Sequence, residues 1–186
     1  MSERFPQVDV VTGSAEHLAL EKVDVVVSGL PWTAMTAARQ QRILDAVTAA
    51  RLTAVEINPR FAASLSERFP QVDVVTGSAE HLALEKVDVV VSGLPWTAMT
   101  AARQQRILDA VTAALAPNGR FTTFAYAHAA WTPPARRFAA SLRSRFAVVE
   151  RTSVVWGNLP PAFVYRAALP VAVGRTRRGQ PAAASA

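Results

Sequence analysis

Cysteine is absent from the 186-residue chain, which excludes disulfides, thiolate metal sites and cysteine nucleophiles. Long apolar runs are absent as well. The longest candidates, such as Val87–Trp96, are cut short by Asp88 and Pro95 and fall below the roughly 18 uncharged residues of a membrane span. The N-terminus is polar and lacks the apolar core of a secretory signal, so a soluble cytoplasmic protein is the expectation. Glycine-rich loops are missing too. No Gly-x-Gly occurs anywhere, and without it the dinucleotide fingerprint fails.

What is present describes a folded protein. Hydrophobic residues make up 51% of the chain, which argues against disorder, and the length suits one domain with a sizeable core. The expected domain spans 1–170. The net charge is +6, and Arg175, Arg177 and Arg178 lie together in the final segment GRTRRGQPAAASA. Residues 171–186 lack hydrophobic periodicity and read as a basic, disordered tail. Such a tail aids solubility or is drawn to an anionic lipid surface; nucleic-acid binding is a third reading.

An internal repeat dominates the first half: Ser2–Ala50 recurs, residue for residue, as Ser66–Ala114. Solenoid repeats keep a pattern and vary the letters, so two identical copies point to a recent duplication, an artificial joining or an assembly error. Met1 stands where Leu65 precedes the second copy. The expectation is a start placed inside the repeat unit, with the missing N-terminal part encoded upstream.

The pattern of elements alternates. Val8–Val11 and Val72–Val75 are short β-branched runs ending in Thr-Gly-Ser turns. Val23–Val27 and Val87–Val91 are valine-rich and closed by Ser-Gly-Leu-Pro, as for parallel strands buried on both faces. Thr33–Ala50 and Thr97–Leu115 carry apolar residues at helical spacing, with Asn118-Gly119 as the stop for the second. Leu52–Ile57 reads as a strand. Asn58 caps a helix that opens on Pro59 and runs through Leu65. Phe121–Tyr126 is a further strand, Pro133-Pro134 opens a helix through Arg145, and Ala147–Trp156 and Ala162–Ala168 form a final antiparallel pair. This order predicts an α/β sandwich on a mainly parallel sheet, with ligand beyond the carboxyl ends of the strands.

Four places could carry chemistry. Glu56 closes a strand, where a carboxylate can accept both hydroxyls of a ribose or serve as a plain surface carboxylate. The loop Gly77-Ser78-Ala79 can meet the edge of an adenine, or is simply a turn. Ser92-Gly93-Leu94-Pro95-Trp96 offers backbone carbonyls that can hold an attacking amine in line, or merely ends a strand. The stretch from Asn158 to Tyr165 is the fourth, otherwise a proline-stiffened hairpin connection.

The runs LTAVEINPRFAASLSERFPQVDVVTGSAEHL, VDVVVSGLPW, LAPNGRFTTFAY and NLPPAFVY, spanning Leu52–Ala168, resemble bacterial phospholipid N-methyltransferases. They are similar, more loosely, to ribosomal RNA adenine dimethyltransferases. The resemblance implies a seven-stranded Rossmann-like methyltransferase sandwich, S-adenosylmethionine as cofactor, and phosphatidylethanolamine as acceptor at a membrane surface, peripheral on the inner face. No metal is implied. By resemblance the cofactor is held by Glu56, Ile57, Asn58, Gly77, Ser78, Ala79 and Ser92, with Ser78 and Ala79 bordering the adenine. Ser92, Gly93, Leu94 and Pro95 line the methyl-transfer site. Tyr126 offers a ring face to the methylated ammonium, a cation–π attraction worth about 0.5–2 kcal/mol. His128 is a candidate proton acceptor and Trp131 a candidate lipid contact.

Two departures qualify this. Ser78 stands where the family carries an acidic residue. The glycine loop after the first strand is missing, and Val23–Val27 with Ser28-Gly29-Leu30-Pro31 and the helix Thr33–Ala50 stand in its place. The expectation is that the first copy fills the first-strand slot. The single glycine and Trp32 hinder approach to the cofactor, so binding is weak. Two rival readings follow: a nucleic-acid adenine N-methyltransferase, in which Trp96 stacks on a flipped base, and a catalytically inactive remnant.

Overall fold

The computed structural model describes residues 24–28, 51–82 and 85–171. The predicted strand Val8–Val11, helix Thr33–Ala50 and tail from residue 172 lie outside those residues. Seven strands form one sheet: β1 (Asp24–Ser28), β2 (Arg51–Glu56), β3 (Asp73–Thr76), β4 (Val87–Ser92), β5 (Leu115–Tyr126), β6 (Phe146–Arg151) and β7 (Ala162–Pro170). Among the described residues three α-helices accompany them: α1 (Pro59–Arg68), α2 (Ala101–Ala114) and α3 (Pro133–Arg143). The strand order is β3-β2-β1-β4-β5-β7-β6. Strands β1 to β5 pair in parallel, and β7 runs antiparallel to both β5 and β6. The mixed sheet has the predicted Rossmann-like form.

The first copy does contribute the central strand. β1 lies between β2 and β4, with Ser28 beside Val55 on one side and Ser92 on the other. Val25, Val26, Val27 and Ser28 pair with Val89, Val90, Val91 and Ser92. Each residue therefore lies beside its own duplicate, and the repeat is folded as an in-register parallel pair of identical strands.

Local chemistry explains the helix starts. Asn58 Oδ1 accepts the Arg60 N–H (3.0 Å) ahead of Pro59, Thr100 Oγ1 accepts from Arg103 (3.3 Å), and Thr132 Oγ1 accepts from Ala135 (3.4 Å) before Pro133. Each satisfies an orphan donor of a first turn. Several boundaries move. α1 runs past Leu65 to Arg68. The segment predicted as one helix from Thr97 splits into a 3-10 turn, Trp96–Ala98, and α2. α2 stops at Ala114, before Asn118-Gly119, because Leu115 is buried and already pairs with Val87. A register shift between Val87 and Val89 then absorbs the residues up to Arg120. Gly119 is needed there: a Cβ would stand 2.8 Å from the Ala116 carbonyl oxygen. α3 ends at Arg143, two residues short of Arg145. β6 ends at Arg151, short of the predicted Trp156, and only Val155 bridges back to Ala162.

The core packs α2 and α3 on the sheet. Ile107, Leu108 and Val111 meet Phe138, Leu142, Val90, Phe121 and Phe163. Leu52, Thr53, Ala54 and Val55 are all buried, so both faces of β2 are covered. β4 departs from the expectation of two equally buried faces: Val87 and Val90 are buried, whereas Val89 and Val91 are half-buried.

Candidate active site

The parallel strands bring the predicted site to one edge. Glu56 ends β2, Ser92 ends β4, and Ser28 between them pairs with Val55 and Ser92. The acidic residue and the turn thus leave the sheet at the same carboxyl end, where ligands of this fold class bind. There lies a small open cleft, lined by residues from β2, the turns after β3 and β4, and α2.

Its polar wall is built from short local bonds. Glu56 Oε1 accepts the Asn58 N–H at 2.8 Å, which curls the carboxylate over the start of α1. The Glu56 carbonyl accepts the Gly77 N–H at 2.9 Å, tying the turn after β3 to the end of β2. Ser78 Oγ accepts the Glu80 N–H (3.2 Å) and caps the 3-10 turn Ala79–His81. A Cβ on Gly77 would meet nothing within 4 Å, so the space above this turn is open. The apolar walls are Ile57, 60% exposed, with Val55, Leu94 and Ile107.

Of the predicted residues, Glu56, Ile57, Gly77, Ser78, Ala79 and Leu94 line this cleft. Asn58 does not; its side chain caps α1. Ser92 is buried at 3% exposure, and its Oγ accepts the Leu94 N–H (3.3 Å), so it fixes the turn from behind. Gly93 and Pro95 belong to that turn without lining the cleft. The expected stretch of available carbonyls is narrower than the sequence suggests, because the Leu94 carbonyl accepts from Trp96 N–H and the Pro95 carbonyl from Ala98 N–H, each at 2.9 Å. Tyr126 ends the neighbouring strand β5, 38% exposed, edge-on to Phe124 and stacked on His128 with centroids 5.8 Å apart.

Trp96 is a correction. It is 3% exposed, stacks on Phe138 (centroids 4.8 Å), and donates its indole N–H to Thr123 Oγ1 at 2.9 Å. Its carbonyl accepts from Gln104 Nε2. A ring held on so many sides is core and cannot stack on a flipped base.

Sequence reading missed Arg103 and Ile107, which close the cleft from α2. Arg103 Nε donates to Glu80 Oε1 (2.9 Å) and Arg106 Nε to Glu80 Oε2 (2.6 Å). The hydrogen bond from Arg106, with the charges of both arginines, holds the Glu80 carboxyl below its ordinary range against the opposing effect of burial. The spacing of Arg103 and Ile107 on one helical face was the available signal, but it does not reveal which loop that face meets.

The residue types around the cleft suit the nucleoside half of S-adenosylmethionine. A carboxylate at the end of β2 can accept a ribose diol, open space stands above Gly77, and apolar side chains flank a flat base. The turn that follows β1, with Trp32, lies outside the described residues.

The sequence profile of a methyltransferase domain matches residues 33–123, starting beyond β1. No curated protein sequence matches the chain. Among solved structures the chain is similar to the N-methyltransferase NodS from Bradyrhizobium japonicum WM9 in complex with S-adenosyl-L-homocysteine, with a TM-score of 0.65, 16% identity, and 84% of each chain covered. It is also similar to the 1,6-didemethyltoxoflavin-N1-methyltransferase from Burkholderia thailandensis, with a TM-score of 0.56, 20% identity, and 80% of this chain and 72% of that one covered. A third likeness is to a putative rRNA-methylase from Clostridium thermocellum, with a TM-score of 0.58, 15% identity, and 83% and 90% covered. The chain therefore carries a methyltransferase-domain match on the fold of the S-adenosylmethionine-dependent methyltransferases.

Proposed function

We propose that the chain is an S-adenosylmethionine-dependent N-methyltransferase acting on the head-group amine of a phospholipid such as phosphatidylethanolamine. The observation that carries this reading is the convergence of Glu56 and the Ser92–Pro95 turn on one edge of the sheet. The methyltransferase-domain match supports the cofactor. When bound, the cofactor supplies a methyl group already activated on a sulfonium.

The chain's own residues then have positioning work. Glu56 accepts the ribose hydroxyls, and Ile57, Leu94 and Ile107 flank the base. With the Leu94 and Pro95 carbonyls engaged, Gly93, in the turn beside the cleft, would offer its carbonyl to an amine N–H at the cleft's rim. Ser92 and the buried Trp96 hold that turn rigid. Tyr126, at the adjoining strand end, presents an aromatic face to the cation that grows with each methylation.

The function is tested by incubating the chain with labelled S-adenosylmethionine and either phosphatidylethanolamine vesicles or ribosomal RNA fragments. Label in the lipid is the expected outcome; label in RNA alone, or in neither, overturns the reading. Cofactor binding is tested separately. Glu56→Gln keeps an oxygen for the Asn58 N–H but loses the charge. It is expected to weaken S-adenosylhomocysteine binding about 10- to 100-fold by calorimetry, the range for a lost hydrogen bond to a charged group.

A further inference from the structure

Three large apolar side chains stand far out from the core: Trp131 is 82% exposed, Trp156 77% and Leu159 95%. Trp131 lies in the turn between β5 and α3, and the other two in the connection between β6 and β7. The two loops leave the sheet at one end. Tyr126 pairs with Ala162, and the Ala127 N–H donates to the Pro161 carbonyl at 2.8 Å. It is the end that bears the cleft, because β5 is parallel to β4 with Thr123 beside Ser92.

Exposed arginines flank these two loops. Arg136 and Arg137 are exposed in the first turns of α3, and Arg151 is exposed at the end of β6 with its guanidinium 4.5 Å from the Phe163 ring centre. Glu150 is the one carboxylate between Tyr126 and Pro161. Indole rings beside guanidinium groups suit a membrane–water interface: the ring has an apolar body and a polar edge that settle at headgroup depth, and arginine is drawn to an anionic leaflet.

We propose that the loops bearing Trp131 and Trp156–Leu159 form a docking surface for an anionic phospholipid bilayer, bringing the cleft-bearing strand ends to the lipid surface. The docking stands on these side chains alone. Only the role of the bilayer as the source of the methyl acceptor rests on the function proposed above.

The test compares the full chain with a Trp131→Ser/Trp156→Ser variant and an Arg136→Gln/Arg137→Gln variant. Sedimentation with phosphatidylglycerol–phosphatidylethanolamine vesicles and with pure phosphatidylcholine vesicles measures partitioning. The parent chain is expected to partition onto the anionic vesicles, more weakly onto the neutral ones, with a blue shift of tryptophan emission absent from the tryptophan variant. The tryptophan variant should lose partitioning about tenfold or more, and each neutralised arginine should lower it about fivefold. Both variants should keep the parent's circular dichroism, unfolding midpoint and S-adenosylhomocysteine affinity, so that misfolding is separated from lost docking. Parent chain that stays in the supernatant, or a tryptophan variant that partitions like the parent, overturns the proposal. So does a change in oligomeric state without a change in vesicle binding, which would assign the loops to contact between copies. Transfer to a short-chain phosphatidylethanolamine dissolved as monomers separates the two claims. Docking without transfer to any lipid leaves this surface standing and removes the acceptor assignment, whereas loss of transfer from vesicles alone in the tryptophan variant supports both.

Discussion

Glu80 shows how one side chain joins the site to the scaffold. Its two oxygens are taken by Arg103 and Arg106 of α2, and Arg103 is also part of the cleft wall. The carboxyl titrates below its ordinary value of 4.5, first through the Arg106 hydrogen bond and then through the charges of the two arginines. A depressed folded-state value means that the ionised form stabilises the fold fully above the ordinary carboxylate range. That contribution is lost as pH falls through the depressed value. Glu80→Gln is therefore expected to lower the unfolding temperature at neutral pH, and the gap from the parent chain should close on acidification below the ordinary range. Melting curves across that window check this; a gap constant with pH would show that the cluster acts by packing rather than by charge. Glu56 was legible in the sequence because it closes a short, largely apolar strand just ahead of an Asn-Pro helix start. Arg103 was not, because its partner lies in a different loop and only the folded chain brings them together.

At the level of the element, the turn after β4 is the instructive case. Its Ser-Gly-Leu-Pro letters signal a strand end, and the strand does end there. The following Trp96 resembles an exposed aromatic by its place after a proline, yet it is the hinge of the core: stacked on Phe138, edge-on to Phe121, and bonded to Thr123 and Gln104. Trp96→Ala removes that packing and leaves Thr123 Oγ1 without its indole donor, while the main-chain carbonyl that accepts from Gln104 remains. A loss of about 3–5 kcal/mol is expected for deletion of a buried tryptophan, read as a lower denaturant midpoint in chemical unfolding. A small loss would mean that the ring is not packed as described. The helix after this turn was legible as a helix because its apolar residues recur every three to four positions. Its end was not, because burial of Leu115 beside Val87 overrides the Asn118-Gly119 stop signal.

For the whole molecule, the duplication decides the centre of the sheet. β2 and β4 do not touch each other; β1 lies between them, and it comes from the first copy. Val26 pairs with Thr53 on one side and Val90 on the other. Proline in a central strand removes a ladder donor and crowds its neighbours. Val26→Pro is accordingly expected to abolish cooperative unfolding in calorimetry, and a chain beginning at Arg51 should fail in the same way. A truncated chain that melts as sharply as the full one would show that the second copy folds without the first. Among the described residues no helix is long and apolar enough to cross a membrane.

The sequence by itself determined the kinds of element, their order, the exact repeat, and the presence of an acidic residue at a strand end. Each of these is written in periodicity, capping and turn chemistry within a few residues. Tertiary structure alone decided that identical strands lie side by side, that Trp96 faces inward, and that Glu80 clamps the helix closing the cleft. Those outcomes depend on contacts between residues far apart in the chain, and such contacts are selected by how the whole sheet buries its apolar faces, which local patterns do not encode.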